Sequence, residues 1–291
     1  MLVGHQSIYE RLKRDSQSGT LHHAHLFLGP EHVGKTKTAM NFANFLQGGE
    51  EDVIVKRQLL QGLDPDTLLF LDDGESLPIE SIRNVIERVN QGHSHPYLIV
   101  VIENLARLRP EAMNALLKTL EEPHPGTVFF LTANQEEDVL ATIRSRAQTH
   151  FFQTVPDEEM TVLLDGHPLG ERLFFFAMGR PGKLLRLKED AGYLDAHETL
   201  LRDLSQFMDT PKTSSVFALV RKYEGSELVP ELLDIVLRRV RGWMLTGTRP
   251  QVLGHLDLTH VLEQTEDAKM ALRNNVNTKL LLENLFLTYI P

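Results

Sequence analysis

An octapeptide, GPEHVGKT at Gly29 to Thr36, lies between an apolar run, Ala24 to Leu28, and a helix-forming stretch, Lys35 to Gln47. It matches G-x-x-x-x-G-K-[ST] in full, and strand, loop and helix follow in the order that the motif needs. Glycines let such a loop curl so that backbone N–H groups face phosphate oxygens, and the following helix adds its positive N-terminus. The expected phosphate cradle is therefore Gly29, Pro30, Glu31, His32, Val33, Gly34, Lys35 and Thr36. Lys35 is suited to reach the outer phosphates and Thr36 to bind Mg²⁺.

A loop of this kind belongs to an α/β fold, and the flanking pattern agrees. Further strand candidates are Thr67 to Leu71, Tyr97 to Ile102, Thr127 to Thr132 and Thr149 to Phe152. Of the five candidates, the middle three, Thr67 to Leu71, Tyr97 to Ile102 and Thr127 to Thr132, read as near-continuous apolar runs, as parallel strands covered on both faces do. Helical stretches Pro78 to Asn90 and Pro110 to Glu122 alternate with them; Pro110 suits a first turn and Pro123 ends the run. After Phe152 the strands stop. A section from 156 to about 190 contains Gly-Arg-Pro-Gly, which must break its helix, and 195–291 reads as helix throughout. In the segment PELLDIVLRRVRGWML, Leu233, Val236, Leu237, Val240 and Met244 share one stripe. At 291 residues and 42% apolar content the chain can bury such cores. Its expected architecture is a P-loop α/β domain with a parallel sheet over 1–153, a small helical lid domain over 154–194 and an all-α C-terminal domain over 195–291.

Hydrolysis needs more than a phosphate loop. A second strand should end in a carboxylate for Mg²⁺, with a further carboxylate preparing the attacking water. The run LIVVI leads into Glu103-Asn104. Glu103 can serve the metal, whereas Asn104 stands where the base is expected, and an amide is a poor proton acceptor, so turnover should be slow. Asp72 or Asp73 is the alternative carboxylate, although Asp73-Gly74 reads as a turn.

Composition narrows the class further. Thirty Lys and Arg against forty Asp and Glu give a net charge of −10, which argues against a free-standing nucleic-acid binder, so any DNA contact should be local or shared with partners. With no cysteine, disulfides, thiol catalysis and Cys-ligated zinc are excluded, in keeping with a cytoplasmic location. The first residues lack the apolar core of a signal peptide, and no run is long enough for a membrane span.

Two segments carry a more specific likeness. The run MNALLKTLEEPHPGTVFFLTAN, followed by TIRSRAQ, resembles the AAA+ clamp-loader subunits of bacterial DNA polymerase III, and HAHLFLGPEHVGKT is similar to their first strand and P-loop. The tail NNVNTKLLLENLFL resembles their last collar helix. Within that family, Asn104 in place of the catalytic Glu, the lack of a Cys-rich zinc knuckle, a single collar domain and the DPDTLLF stretch, Asp64 to Phe70, point to the delta-prime type rather than the motor type. The resemblance implies a stator in a hetero-oligomeric ring with motor subunits and delta, joined through the collar, that helps load the sliding clamp on primed DNA. Such a subunit can bind ATP with Mg²⁺ through Thr36 and Glu103, holds no zinc and hydrolyses ATP weakly. It further implies that Arg146, in Ser145-Arg146-Ala147, acts in trans on a neighbour's ATP site, although the family's Cys is replaced by Ala147. Asn134 falls at the first sensor position. For the second sensor the candidates are Arg180 and Lys183, neither in clean register, with Lys183 preferred.

Two other readings stay open on sequence: an ATP-hydrolysing motor subunit of the same machine, and an unrelated P-loop nucleotide switch. His22, His23 and His25 lack a neighbouring carboxylate or Cys to complete a metal shell. Arg238, Arg239 and Arg241 fit a solvated face or subunit contact better than DNA, and Trp243 fits core or interface.

Overall fold

Alternating apolar runs and amphipathic stretches build the first 185 residues. In the computed structural model, which describes residues 2–49, 64–91, 93, 95–272 and 276–290, the elements are α1 (Gln6–Gln17), β1 (Ala24–Leu28), α2 (Lys35–Leu46), β2 (Thr67–Phe70), α3 (Ile79–Val89), β3 (Leu98–Ile102), α4 (Pro110–Glu121), β4 (Thr127–Ala133), α5 (Ala141–Arg144) and β5 (Gln148–Phe151). Helices α6 (Asp157–Leu164), α7 (Gly170–Ala177) and α8 (Pro181–Glu189) follow. The chain divides into two compact units, residues 1–185 and 186–291.

The sheet has the order β2-β3-β4-β1-β5 and every pairing is parallel. Leu28 aligns with Ala133 on one side and Phe151 on the other, while Phe70 aligns with Ile102 and Ile102 with Leu131. The carboxyl ends of the strands therefore share one edge of the sheet. Successive side chains leave a strand on opposite faces. Leu26, Leu28, Val100, Ile102, Phe129 and Leu131 pack with Ile82, Val85, Met113 and Leu116 of α3 and α4 on one face. Phe27, Ile99, Val101, Val128 and Phe130 pack with Leu12, Ala39 and Phe42 of α1 and α2 on the other. Truncating any of the buried rings to Ala would cost about 3–5 kcal/mol.

The strands covered on both faces are β1, β3 and β4, not β2, β3 and β4. Among the described residues β2 pairs with β3 alone, and Leu68, Leu69 and Phe70 are half-buried. Apolar content alone does not distinguish an edge strand from an inner one. A polar knot fixes where β2 begins. Asp64 accepts from the Asp66 N–H at 3.1 Å and from Thr67 Oγ1 at 2.6 Å, and Asp66 accepts from Arg88 Nη2 at 2.5 Å and the His95 N–H at 2.8 Å. The segment DPDT is thus a strand-start brace, with both carboxylates buried and satisfied.

The second unit contains α9 (Ala191–Asp209), α10 (Thr213–Tyr223), α11 (Val229–Thr246), α12 (Leu258–Leu272) and α13 (Thr278–Leu287). Leu233, Val236, Leu237 and Val240 of the α11 stripe are buried, whereas Met244 is exposed because the last turn of the helix runs past its core. Phe207, Phe286 and Tyr289 form an aromatic cluster with ring centroids 5.3–5.9 Å apart. Arg239 donates to Ser205 Oγ at 2.7 Å and Arg241 pairs with Glu266 at 2.6 Å, while Trp243 is half-buried. Among the described residues no helix is long and apolar enough to cross a membrane.

His25 is the unusual member of β1. Its Nδ1 lies 3.1 Å from His150 Nε2 on β5, and its ring stacks on Phe130. Burial pushes His25 down to about 3 and His150 down to about 4, so both are neutral at pH 7. The unfolded chain takes up protons at these positions near the ordinary value of 6.5, and the folded chain does not. Stability is therefore full above about pH 6.5 and falls as the pH drops toward 4. Denaturant unfolding between pH 7.5 and 4.5 should show this loss, and the double variant His25→Leu, His150→Leu should flatten it; equal slopes in both proteins would contradict the assignment.

Candidate functional site

The site lies at the edge where the parallel strands end. Gly29, directly after β1, has φ 152°, and a Cβ there would come within 2.1 Å of the Phe152 carbonyl oxygen, so only glycine allows the loop to pass β5. Gly34, with φ 105°, opens α2, and the space beside it is clear to 4 Å. No side chain caps the first turn of α2, which leaves its backbone N–H groups to face an anion. Val33 is fully buried against the core and anchors the loop from beneath. His32 holds a left-handed φ of 64°, and its carbonyl accepts from the Gly182 N–H at 2.8 Å.

Lys35 is 7% exposed. Its Nζ donates to the carbonyls of Gly29 at 2.6 Å and Pro30 at 2.7 Å, and to Asn134 Oδ1 at 3.0 Å. Burial pushes the ammonium down to about 8, opposed by the charges of Glu31, Glu103 and Asp138. Asn134, just past β4, donates Nδ2 to Glu31 at 2.8 Å. The amide thus links the loop's cation to the loop's carboxylate.

Thr36 Oγ1 donates to Glu103 Oε1 at 2.5 Å, and Glu103 Oε2 accepts from the Asp72 N–H at 2.9 Å. A hydroxyl and a carboxylate in contact beside a phosphate loop are a suitable oxygen pair for Mg²⁺. Asn104 has a left-handed φ of 59°, which Asn tolerates better than most residues. Its N–H donates to Thr132 Oγ1 at 2.9 Å and its Nδ2 to Asp72 Oδ2 at 2.6 Å. Arg107, 8% exposed, holds Asp72 at 3.2 Å and Asp73 at 2.5 Å. Asp72 is thus held by a cation and an amide. That link between Asp72 and Asn104 was not readable from residues 32 positions apart.

These groups line a cavity of about 470 Å³. Its lining combines the polar Glu31, Lys35, Thr36, Glu103, Asn104 and Asn134 with the apolar Leu2, Val3, Leu163 and Leu185. The size and mixed lining suit a nucleoside phosphate with its phosphates on the loop. Pro181 and Gly182 line the cavity, while Lys183, 2% exposed, is not among its lining residues.

Arg146 lies outside that cavity. It pairs with Glu121 at the end of α4 and donates to the Thr142 carbonyl at 2.8 Å and Ser145 Oγ at 3.1 Å, with 32% of its side chain exposed. The three N-terminal histidines serve the backbone and core: His22 Nδ1 lies 2.8 Å from the Ala24 carbonyl, His23 Nε2 2.8 Å from that of Leu120, and His25 against His150. Among the described residues no cluster of His, Cys, Asp and Glu is arranged to hold a metal by itself.

A family model described as DNA polymerase III, delta subunit, matches residues 4–156. The chain is 28% identical to the DNA polymerase III subunit delta′ of Escherichia coli (strain K12), covering 96% of this chain and 92% of that relative. Identity to the delta′ subunit of Bacillus subtilis (strain 168) is 26%, over 96% and 93%. Similarity to the gamma/tau subunit of Mycobacterium tuberculosis (strain H37Rv) is also 26% but spans 70% of this chain and 39% of that one. A DNA polymerase III gamma subunit-related protein from Thermotoga maritima, 18% identical, superposes with a TM-score of 0.56 over 97% of this chain and 98% of its own. That likeness shows the fold.

The Asn104–Asp72 contact is directly testable. Asn104→Asp preserves shape but sets two carboxylates against each other, and should lower stability by about 1–2 kcal/mol at pH 7. Adding Asp72→Asn should recover most of the loss in a double-mutant cycle; additive effects would contradict the contact.

Proposed function

The chain belongs to the DNA polymerase III delta-subunit family, and we propose that it acts as a delta-prime-type stator of the clamp loader. In this role it joins motor subunits and delta in the cytoplasm, through its C-terminal helical domain, to place the sliding clamp on primed DNA. The near end-to-end match to delta′ relatives supports this over a motor role, since the gamma/tau match leaves much of that relative uncovered.

The observation that carries the reading is Asn104. Its amide occupies the place of the water-activating carboxylate and is spent on Asp72. Nothing at that position can take a proton from water, so the chain's own turnover is slow. A bound Mg²⁺–nucleotide would supply phosphates and a cation for this site to hold, with little hydrolysis on this chain. Lys35 would neutralise phosphate charge, the N–H groups at the start of α2 would hold phosphate oxygens, Thr36 and Glu103 would hold the cation, and Leu2, Val3, Leu163 and Leu185 would offer apolar surface to the base.

Arg146 contributes elsewhere. It is part-exposed, held by α4 and α5 outside the chain's own cavity, and so is available to a neighbouring subunit's nucleotide. A guanidinium so placed stabilises charge on the transferring phosphoryl group. In a reconstituted loader, Arg146→Ala should lower DNA- and clamp-stimulated ATP turnover at least tenfold at equal assembly. Unchanged turnover would remove the residue from the mechanism.

A further inference from the structure

We infer that Glu31 makes this phosphate loop favour a nucleoside diphosphate over a triphosphate. The inference rests on the reading of the loop as a nucleotide site and concerns how that site discriminates.

Two sets of groups meet phosphates in such a loop. The inner set comprises the N–H groups at the start of α2, beside the clear space at Gly34, and no side chain caps them. A diphosphate can take these without moving Glu31 from Asn134. Lys35 reaches the second phosphate as well as a third, and Asn134, beside it, is the group that a third phosphate must additionally engage. Both are committed within the protein. Lys35 Nζ is held by two loop carbonyls and by Asn134 Oδ1, and the donor side of the same amide is held by Glu31 Oε1 at 2.8 Å. Asn134 therefore has its acceptor turned to the cation and its donor turned to a carboxylate that lines the cavity.

A third phosphate has to displace Glu31 from Asn134 and then remain near its negative charge. Glu31 is also the leading charge that keeps the buried Lys35 ammonium protonated. In the closed network it does for Lys35 part of what an outer phosphate would do. The carboxylate thus competes with the third phosphate for Asn134, which the inner two phosphates do not need.

Calorimetric titration of the full chain with Mg²⁺–ADP and Mg²⁺–ATP tests this. The wild type should bind ADP at least tenfold more tightly than ATP. Glu31→Gln keeps an acceptor for Asn134 but removes the charge, and should narrow the ratio to threefold or less by strengthening ATP while ADP changes little. Glu31→Ala should narrow it at least as far. A wild type that binds both equally, or variants that bind both with the original ratio, would overturn the role of Glu31 alone. Absence of binding by either nucleotide to any of the three proteins would overturn the nucleotide reading and this inference with it.

Discussion

The central placement of β1 in a wholly parallel sheet is the constraint on which the rest depends. Because β1 lies between β4 and β5, the loop after it emerges beside the ends of those strands, with β3 and β2 beyond. The cavity's polar groups then gather at the strands' carboxyl ends: the phosphate loop after β1 with the first turn of α2, Asp72 after β2, Glu103 and Asn104 after β3, and Asn134 after β4. Parallel strands need covered faces, and the alternation of Phe27 and Phe130 with Leu26 and Leu131 supplies both. Packing of the core and assembly of the site are thus one event.

Charge within the cavity is balanced by the chain itself. Lys35 is closed in by loop carbonyls and an amide, Asn104 by Asp72, and Asp72 by Arg107. These contacts hold the site's side chains to one another. Where a water-activating carboxylate is expected, Asn104 offers an amide. That fits the proposed subunit, whose phosphate loop serves binding and whose part-exposed Arg146 serves chemistry in a neighbour.

Much of this was legible in sequence, since the informative patterns are local. GPEHVGKT specifies a strand, a turn and a helix within a few residues of one another, and the strands fall within a residue or two of their apolar runs. The rest depends on pairings across long stretches of chain. β2 looks like an inner strand until its lack of a second neighbour is seen. Nothing near His25 in sequence announces His150 and Phe130, which pack against it. Glu31 and Asn134 are 103 positions apart, and neither residue type signals the other. Met244 continues a helical stripe correctly yet lies beyond the core that the stripe serves.

The central claim is that this chain lends chemistry to a neighbour while its own site stays closed to proton transfer. It is tested most directly by a structure of the assembled clamp loader with a non-hydrolysable triphosphate analogue. The account predicts that Arg146 has left Glu121 and lies within hydrogen-bond reach of the analogue's outer phosphate on the adjacent subunit, with Asn104 still on Asp72. Arg146 remaining on Glu121 and facing solvent in the assembled ring would contradict it.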